Sequence, residues 1–478
     1  MSRLNRKVSK QRVAGGYGTI AAEEDLFVKL RRIIATYLLF EERYYEELEM
    51  PDPVQFILSN IDKLSKEQIK QLIEETRLKL GLRHTPILCI LGAIRSRNDE
   101  IRRLIGNELD SRILATPKDV MDLIAGYKQY CNESKTIPHQ IKKLVTKSLQ
   151  RFDEYQLAKY GRNVKNKNKM IKLVDVFNLV HPKPLNPEQG KLWRKLIKNE
   201  LEPPMTWEVM LSRCRSNKEK RDVWLQLMEQ RKLPALATIR NLRNMLCVGV
   251  EEQTVAKYID TLKSQWIFPY QIFTSYFMIK PYIKTQYIPM SLINYIKRLS
   301  DNAEKLRGMT YVVLDISGSM GLFTSNSYLT RALAVVYSII INCEKYRFFL
   351  TSGNDGKRKH ATTEIMFSYS FEDLARKIEN YRVNTLGYGG IFTAQCINWL
   401  KQNYDEPDRL IVVSDSQDCD RGRPIVPKFG RFMYNNNIAP YRRVAYSEED
   451  PWTATFETFS SRVVDFIKYK ELINNNLC

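Results

Sequence analysis

The hydrophobic and polar positions divide the chain into a long helical part and a shorter part in which strands and helices alternate. Over residues 23–300, apolar residues recur at helical spacing, as Leu26, Leu30 and Ile33 do. Prolines open many of these segments, because the first turn of a helix loses nothing from their missing N–H. Short helices over such a length, with no clear strand-like run, predict an all-α, HEAT-like array of helical repeats.

The predicted helices each combine an apolar face with a polar, proline or glycine boundary. They cover residues 26–37, 64–80, 138–160, 187–201, 203–211, 218–230, 234–246 and 253–262, and two more open at Thr85-Pro86 and Thr116-Pro117. No strict sequence period relates them, so the repeats are expected to be irregular.

After residue 305 the pattern changes to short apolar runs between helical segments. Residues 311–314 are uninterrupted and rich in valine, which favours a strand buried on both faces of a parallel sheet. Residues 409–414 form a second such run. Further strands are predicted at 346–350 and 364–367, and helices at 329–343, 371–381 and 393–404. This alternation predicts a doubly wound, Rossmann-like α/β domain.

Oxygen-bearing side chains follow the two central strands. Asp315, Ser317 and Ser319 come directly after the first strand, and Asp415 comes directly after the second. Open α/β sheets place their ligands at the carboxyl ends of strands. One interpretation is a polar turn that only caps a helix. Acids at the ends of two buried strands favour a site for a hard divalent cation instead, with Mg²⁺ as the first candidate.

The charge of the chain is its most unusual property. Its 478 residues carry a formal net charge of +21, which indicates anionic partners, nucleic acid first and an anionic membrane second. No apolar segment approaches the roughly 20 residues that a spanning helix needs. Residues 1–12 lack the apolar core of a secretory signal. The eight cysteines form no C-x-x-C pair, which favours reduced thiols in a cytosolic protein.

The most basic stretch covers residues 142–172, and its centre is too polar for a core helix. It is open to two interpretations, a solvated lysine-rich loop or a segment that binds phosphates and releases their counterions. The global charge favours the second. Interleaved aromatic residues could stack on unpaired bases, although core packing is their commoner role. The candidate phosphate contacts are Lys142, Lys143, Lys147, Lys159, Arg162, Lys165, Lys167 and Lys169.

Several of these motifs resemble known families. D-I-S-G-S-M at 315–320, with I-V-V-S-D at 411–415, is similar to a von Willebrand factor A domain and its metal-ion-dependent adhesion site. Residues 173–184, which end in H-P-K-P, and residues 232–245 resemble the TROVE module of the Ro autoantigen family. That family joins the two modules in this order, so the resemblance covers most of the chain.

The resemblance implies a basic arm over residues 1–20, a TROVE ring over 21–305 and a von Willebrand A-like domain over 306–478. In the family, the basic hole of the ring binds single-stranded 3′ ends of misfolded RNAs, in RNA quality control. A small structured Y-type RNA binds the outer surface and can tether an exoribonuclease. The expected protein is therefore a cytoplasmic RNA-binding protein, monomeric within a ribonucleoprotein, with no membrane association.

The family motifs also assign individual residues. Lys159, Arg162 and His181 match ring positions near RNA, although His181 could equally cap a helix end. Arg240 and Arg243 share one helical face and are added as RNA contacts. The neighbouring asparagines, 241 and 244, are interpreted as ties between helices.

The metal site departs from the family pattern at one position. The threonine that usually follows a Gly-Gly pair is replaced by Ile391, and Thr393 is the only hydroxyl nearby. The cation is therefore expected on Asp315, Ser317, Ser319 and Asp415, with Thr393 as an additional candidate ligand.

Two other functions compete with RNA binding. The first is a Mg²⁺-dependent scaffold or adhesion protein whose A-like domain captures an acidic protein partner. The second is a metal-dependent nuclease or phosphotransferase. One acid with two serines lacks the paired carboxylates of a two-metal site, and the four histidines show no ligand spacing, so no enzyme activity is predicted.

Overall fold

The chain forms two compact units, Met1–Met205 and Thr206–Cys478. The second unit contains the last helices of the predicted ring module together with the α/β domain. The arm predicted over residues 1–20 lies outside the described residues, and the predicted domain limits stay predictions. The computed structural model describes residues 26–36, 53–131, 136–161, 171–202, 204–263, 267–324, 327–415, 418–420, 425–436, 445–446, 453–456, 459–460 and 462–475.

The described part of the first unit is helical, as the apolar periodicity predicts. Its helices are α1 (Leu26–Thr36), α2 (Pro53–Asn60), α3 (Lys66–Glu74), α4 (Thr85–Ile94), α5 (Asp99–Asn107), α6 (Pro117–Tyr130), α7 (His139–Leu149), α8 (Glu154–Gly161), α9 (Leu173–Val180) and α10 (Pro187–Ile197). Helix α4 packs on α2 and α6, and α5 packs on α7. Packing between alternate helices is the arrangement expected of stacked helical pairs.

The helix predicted over residues 138–160 is wrong in one respect, because two helices occupy this stretch. Helix α7 ends at Leu149, and Phe152 is buried in the turn that follows. Asp153 then starts α8 by accepting a hydrogen bond from the N–H of Gln156 at 2.7 Å. The apolar spacing continues across the turn, which explains why the periodicity did not mark the break.

A buried ion network fixes the start of α6. Asp119 is 1% exposed and accepts hydrogen bonds from Arg77 Nη2 at 2.8 Å and from Arg83 Nε at 2.9 Å. It also accepts a hydrogen bond from the Thr116 N–H, which completes a capping box. Burial, together with the charge of Arg83, lowers the pKa of His84 to about 4, so this histidine is neutral at pH 7. The carboxylate of this cluster is therefore shielded from water, whereas Arg83 is 33% exposed.

Replacing Asp119 with alanine should destabilise the first unit by about 3–5 kcal/mol, the usual cost of leaving a buried charge without its partner. Urea unfolding measures the loss as a lower midpoint at an unchanged slope. Asp99→Ala is the control, because Asp99 pairs with Arg102 at an exposed position. It should cost less than about 1 kcal/mol. Equal losses in both variants would argue against the network.

The second unit continues the alternate packing of helices. The helices of this unit are α11 (Trp207–Arg213), α12 (Asn217–Glu229), α13 (Ala235–Cys247), α14 (Glu252–Thr261), α15 (Pro269–Ile279), α16 (Tyr287–Asp301), α17 (Tyr328–Ile340), α18 (Phe371–Tyr381), α19 (Thr393–Asn403) and α20 (Val463–Asn475). Helix α13 packs on α15 and α14 packs on α16, while α15 also packs against α17 of the α/β domain. Phe273 of α15 carries the contact, with its ring 4.7 Å from that of Tyr337.

The strands of the α/β domain are β1 (Leu306–Asp315), β2 (Cys343–Asn354), β3 (Lys359–Glu364), β4 (Arg409–Val413), β5 (Ile425–Val426), β6 (Phe432–Asn436), β7 (Ala445–Tyr446) and β8 (Thr453–Phe456). A six-stranded sheet with the order β3-β2-β1-β4-β6-β8 forms the centre of the domain. Adjacent strands of this sheet are parallel, except that β2 and β3 are antiparallel. The mostly parallel sheet confirms the predicted α/β class, whereas a closed helical ring stays a prediction.

The strand predicted at 364–367 is wrong. The edge strand β3 ends at Glu364 and is mostly polar, so it lacks an apolar pattern. Of the apolar residues after it, Ile365 and Phe367 are buried, with the Phe367 ring 4.6 Å from the Tyr337 ring, whereas Met366 is 83% exposed. Strands β5 to β8 and helix α20, which lie after Asp415, were not predicted from the sequence.

Two expectations about the whole chain hold for the residues that the structure describes. None of the described helices is long and apolar enough to cross a membrane. The seven described cysteines are free thiols, as their spacing predicts.

Candidate metal centre and nucleic-acid interface

The carboxyl ends of β1 and β4 meet at the centre of the sheet, where the strand order reverses. Such a switch point is where open α/β sheets bind ligands. Leu314 is in register with Val413, so Asp315 follows on one strand where Ser414 and Asp415 follow on the other. Ser414 Oγ donates to Asp315 Oδ2 at 2.7 Å. The sheet thus brings together the two acids that the sequence predicts as ligands, and both are buried.

The two predicted serine ligands lie on the loop that follows β1. The N–H of Ser317 donates to Asp315 Oδ1 at 2.8 Å, which turns the loop back toward the strand end. The hydroxyls of Ser317 and Ser319 are 3.1 Å apart. Ser317 is buried, whereas Ser319 is exposed. The loop therefore presents one buried and one solvent-facing hydroxyl next to Asp315.

The electrostatics of this site favour a bound cation. Burial, and then the charge of Asp415, raise the pKa of Asp315 above its ordinary value. Two carboxylates that are withdrawn from water and repel each other need a proton or a positive ion close by. Within the described ranges, no three His, Cys, Asp or Glu side chains form a metal-binding group. A cation here would need the serine hydroxyls, and an all-oxygen donor set fits Mg²⁺.

A glycine-rich loop, residues 387–390, packs against the serine loop. The Gly318 N–H donates to the carbonyl of Tyr388 at 3.0 Å, and a Cβ at Gly318 would lie 2.8 Å from that oxygen. Ser352 Oγ holds the same loop by donating to the carbonyls of Gly387 and Gly389. The close backbone approach explains why glycine occupies position 318 inside the D-x-S-x-S motif.

Ile391, which stands where the family has a threonine, and the nearby Thr393 both contact Asp418. Ile391 is buried and pairs with Asp418 in a short parallel bridge. Asp418 accepts a hydrogen bond from the N–H of Thr393 at 2.9 Å, and the side chain of Thr393 also bonds to this carboxylate. Burial nevertheless raises the pKa of Asp418. Asp418 therefore caps the start of α19 through the N–H of Thr393, and the assignment of Thr393 as a metal ligand stays a prediction.

Three predicted RNA contacts lie on α7. Lys143 is exposed, and its Nζ donates to Asn107 Oδ1 at 2.7 Å. Lys147 Nζ donates to the carbonyl of Gly106 at 2.8 Å, near the end of α5, which is where a helix favours a positive charge. Lys142 is half-buried. Lys143 is thus the most accessible member of this group.

The other predicted RNA contacts are spread along the chain. Lys159 is exposed near the end of α8. His181 is exposed and ends α9 with a left-handed backbone, φ 52°, so its main-chain N–H caps the carbonyl of Phe177 while its ring is accessible. Arg162, Lys165, Lys167 and Lys169 lie outside the described residues.

Arg240 and Arg243 are exposed on α13, as the helical spacing predicts. The Arg243 guanidinium lies 5.7 Å from the centre of the Tyr282 ring, and the hydrogen bond that it donates to the Tyr282 hydroxyl raises the pKa of Arg243. The interpretation of the asparagines as ties between helices is wrong. Asn241 bonds to the carbonyl of Ala237, one turn back, and asparagine 244 bonds to Asn241.

Comparison with known proteins identifies part of this architecture. The TROVE domain family model matches residues 195–280. The crystal structure of the Ro (RSR) protein of Deinococcus radiodurans matches with a TM-score of 0.65 and 14% identity, over 93% of this chain and 100% of that chain. Residues 195–280 are thus similar to the TROVE domain family, and the chain has the fold of a Ro protein. The predicted resemblance to the Ro family is thereby confirmed. No curated protein matches the sequence significantly.

The TROVE match begins within α10 and ends just after α15, so it contains Arg240 and Arg243. The basic residues from Lys142 to His181 precede the matched segment. Their assignment to RNA therefore depends on the motifs of the sequence alone.

The structure shows two further residues that contact the candidate cation site or its loop. Ser414 immediately precedes Asp415, and a hydroxyl beside a strand-end acid is a signal that sequence reasoning could have used. Arg382 is fully buried and donates to three carbonyls of the serine loop. Arg382 lies 65 positions from Ser317 in the sequence, so no local pattern could have indicated this contact.

Proposed function

We propose that this protein binds RNA in a ribonucleoprotein, as a Ro-type protein without enzymatic activity. The observation that carries the proposal is the TROVE match within a chain of Ro fold. The formal charge of +21 supports it, because phosphate contacts supply most of the non-specific affinity for nucleic acid.

The finer part of the proposal concerns the RNA and its partners. The preferred RNA has a single-stranded 3′ end, as a misfolded transcript does, and a second, Y-type structured RNA occupies an outer surface. An exoribonuclease is the enzyme expected to act with this complex in RNA quality control. The protein is proposed to be monomeric and cytoplasmic. Exposed Lys143, Lys159 and His181 support RNA contact in the first unit.

The α/β domain is proposed to be a von Willebrand A-like domain that binds one divalent cation, with Mg²⁺ as the physiological ion. Asp315, Ser317, Ser319 and Asp415 would hold it. The supporting observation is the pair of buried acids at the switch point of the sheet, beside two hydroxyls. A cation bound there would supply a Lewis-acidic position for a carboxylate of a partner protein.

The RNA proposal predicts binding that depends on a free 3′ tail. In gel shifts, an RNA hairpin with a single-stranded tail should bind more tightly than the same hairpin with a blunt end. Its affinity should fall steeply as salt is raised, because each neutralised phosphate releases counterions. Equal binding of both RNAs would mean that the binding surface does not recognise a free 3′ end. If neither RNA bound, the proposal of RNA binding would be excluded.

Single substitutions locate the contact. Lys143→Gln and Lys159→Gln should each weaken binding and reduce the slope of affinity against salt by about 0.7, the value for one phosphate contact on single strands. Lys63→Gln is the matched control, since Lys63 is an exposed lysine outside the predicted set. A control that weakens binding as much as the other two would mean that only net charge matters.

The second candidate function is capture of an acidic protein partner through the cation. Ser319, exposed beside the buried Asp315, favours it, because a partner's carboxylate could approach from solvent. A pull-down in Mg²⁺ that fails in EDTA and in Asp315→Ala would support it. Retention of the same partner without the cation would rule it out.

A further inference from the structure

A buried arginine, Arg382, ties the serine loop together, and the proposed cation site does not use it. Its side chain is 1% exposed. Nε donates to the carbonyl of Ile316 at 2.8 Å, Nη2 donates to that of Ser317 at 2.8 Å, and Nη1 donates to that of Gly321 at 2.9 Å. All three acceptors belong to one loop of six residues, 316–321. A rigid guanidinium fork that satisfies three carbonyls of one loop fixes the path of its main chain.

The opposite face of the guanidinium is covered by the glycine-rich loop. The ring of Tyr388 lies 4.7 Å from the guanidinium carbon. The carbonyl of Tyr388 also accepts the Gly318 N–H. Glu379 is the charged neighbour, with Oε2 3.5 Å from Nη1, and it also binds the Tyr388 hydroxyl. The serine loop, Arg382 and Tyr388 therefore form one connected set of contacts.

The remainder of the serine loop has little regular structure. It contains a single helical turn, Gly318–Met320, and Gly321 has a positive φ of 76°. Without the arginine, the carbonyls of Ile316 and Ser317 would lose their buried donor. Unsatisfied buried carbonyls are costly, so the loop would move to reach water. Such movement would separate the Ser317 and Ser319 hydroxyls from Asp315.

We propose that Arg382 is the positioning residue of the cation site, holding the loop of residues 316–321 so that the serine hydroxyls stay beside Asp315. The inference rests on the proposed cation site. Arg382 does not contact the side-chain oxygen of any predicted ligand. It acts only on main-chain carbonyls of the loop. Its effect on affinity comes from preorganisation, because a loop that visits other conformations binds with an affinity reduced by the competent fraction.

The test is titration of the full chain with Mn²⁺ alone, followed by electron paramagnetic resonance of the free ion. Arg382→Lys keeps the positive charge but loses the three-pronged fork. It should bind one Mn²⁺ about tenfold more weakly, as expected if about a tenth of the loops remain competent. Circular dichroism confirms that each variant is folded at the temperature of the titration.

Arg409→Lys is the matched control. Arg409 is also a buried arginine of the same domain, and it donates to the carbonyl of Arg307 at 2.7 Å, at the other end of β1. If loss of a buried fork weakened the ion site merely by loosening the domain, both lysine variants would bind Mn²⁺ equally weakly. The proposal requires Arg409→Lys to bind as the wild type does.

A second pair of variants applies if Arg382→Lys does not fold. Tyr388→Ala uncovers the guanidinium and should weaken Mn²⁺ binding severalfold, whereas Tyr388→Phe keeps the ring and should not. If Arg382→Lys bound Mn²⁺ with the affinity of the wild type, the positioning role would be overturned and the cation site would stand. If Arg382→Lys is unfolded, the same conclusion would follow from wild-type affinity in Tyr388→Ala. Absence of Mn²⁺ binding in the wild type would overturn the cation site itself, and the positioning role with it.

Discussion

Replacing Asp315 with asparagine should abolish the binding of Mg²⁺ or Mn²⁺ and, in the absence of cation, make the protein more stable. Asp315 is a direct candidate ligand, so its loss should weaken binding by more than about a hundredfold, since even the partners of metal ligands are worth up to that much. A cation concentration of a hundred times the dissociation constant should stabilise the wild type by about 2.7 kcal/mol. The same concentration should not stabilise the variant. Calorimetric titration and thermal unfolding measure the two effects.

The gain in stability without cation follows from the sign of the pKa shift. Burial and the charge of Asp415 raise the pKa of Asp315, so the folded protein binds this proton more tightly than the unfolded chain does. The wild type therefore gains stability from this group as the pH falls from above the raised pKa toward the ordinary carboxyl value of about 4. Asparagine has no such proton. In EDTA, the free energy by which Asp315→Asn is more stable than the wild type should be largest at about pH 8 and smaller at about pH 5.

Asp301→Asn is the control for this experiment, because Asp301 is exposed at the end of α16. It should leave cation binding unchanged. Cation binding that survives in Asp315→Asn would remove Asp315 from the site. An advantage that grows as the pH falls would contradict the shift in pKa on which the argument depends.

The two acids of this site illustrate what the sequence could predict. Apolar runs that end in Asp315 and Asp415 indicate buried parallel strands, and both runs are strands in the structure. That their ends are adjacent depends on the strand order, in which β1 lies between β2 and β4. Strand order is set by long-range pairing, for which the sequence carries only weak local signals. The position of each acid at a strand end was therefore predictable from a general rule about α/β folds, whereas the hydrogen bond from Ser414 to Asp315 depends on the strand order.

The helical part shows a similar division. Helix starts marked by Thr116 and Pro117 were predictable, because capping and the missing proline donor act within one turn of the chain. The break between α7 and α8 was missed, since Phe152 continues the apolar spacing through a turn. Hydrophobic spacing reports which residues face the core, and a buried turn satisfies it as well as a helix does.

Residues that act across the fold had no signal in the sequence. Arg382, Arg77 and Arg409 look like ordinary surface arginines of a basic chain, yet all three are largely buried. In a protein with a charge of +21, the many exposed basic residues conceal the few that are structural. Their burial and the hydrogen bonds that they donate to carbonyls distinguish them, and neither property can be read without the fold.

The buried pair formed by Arg409 and Glu471 should be the most sensitive structural contact of the α/β domain. Arg409 Nε and Nη2 reach the two carboxylate oxygens of Glu471 at 2.7 Å each, and Nη1 donates to Thr310 at 2.8 Å. The pair links the starts of β1 and β4 to helix α20. Glu471→Ala leaves the guanidinium buried without its counter-charge and should destabilise the domain by about 3–5 kcal/mol. Urea unfolding followed by tryptophan fluorescence measures the loss.

A double variant separates the cost of the missing partner from any need for the ion pair itself. Arg409→Met with Glu471→Leu should recover most of the lost stability, because well-packed apolar residues often replace a buried ion pair at no cost. Glu364→Ala is the exposed control: its partner Arg347 is 42% exposed, and the change should cost less than about 1 kcal/mol. A double variant as unstable as Glu471→Ala would show that the domain requires Arg409 itself, because methionine cannot replace its hydrogen bonds to Thr310 and to the carbonyl of Arg307.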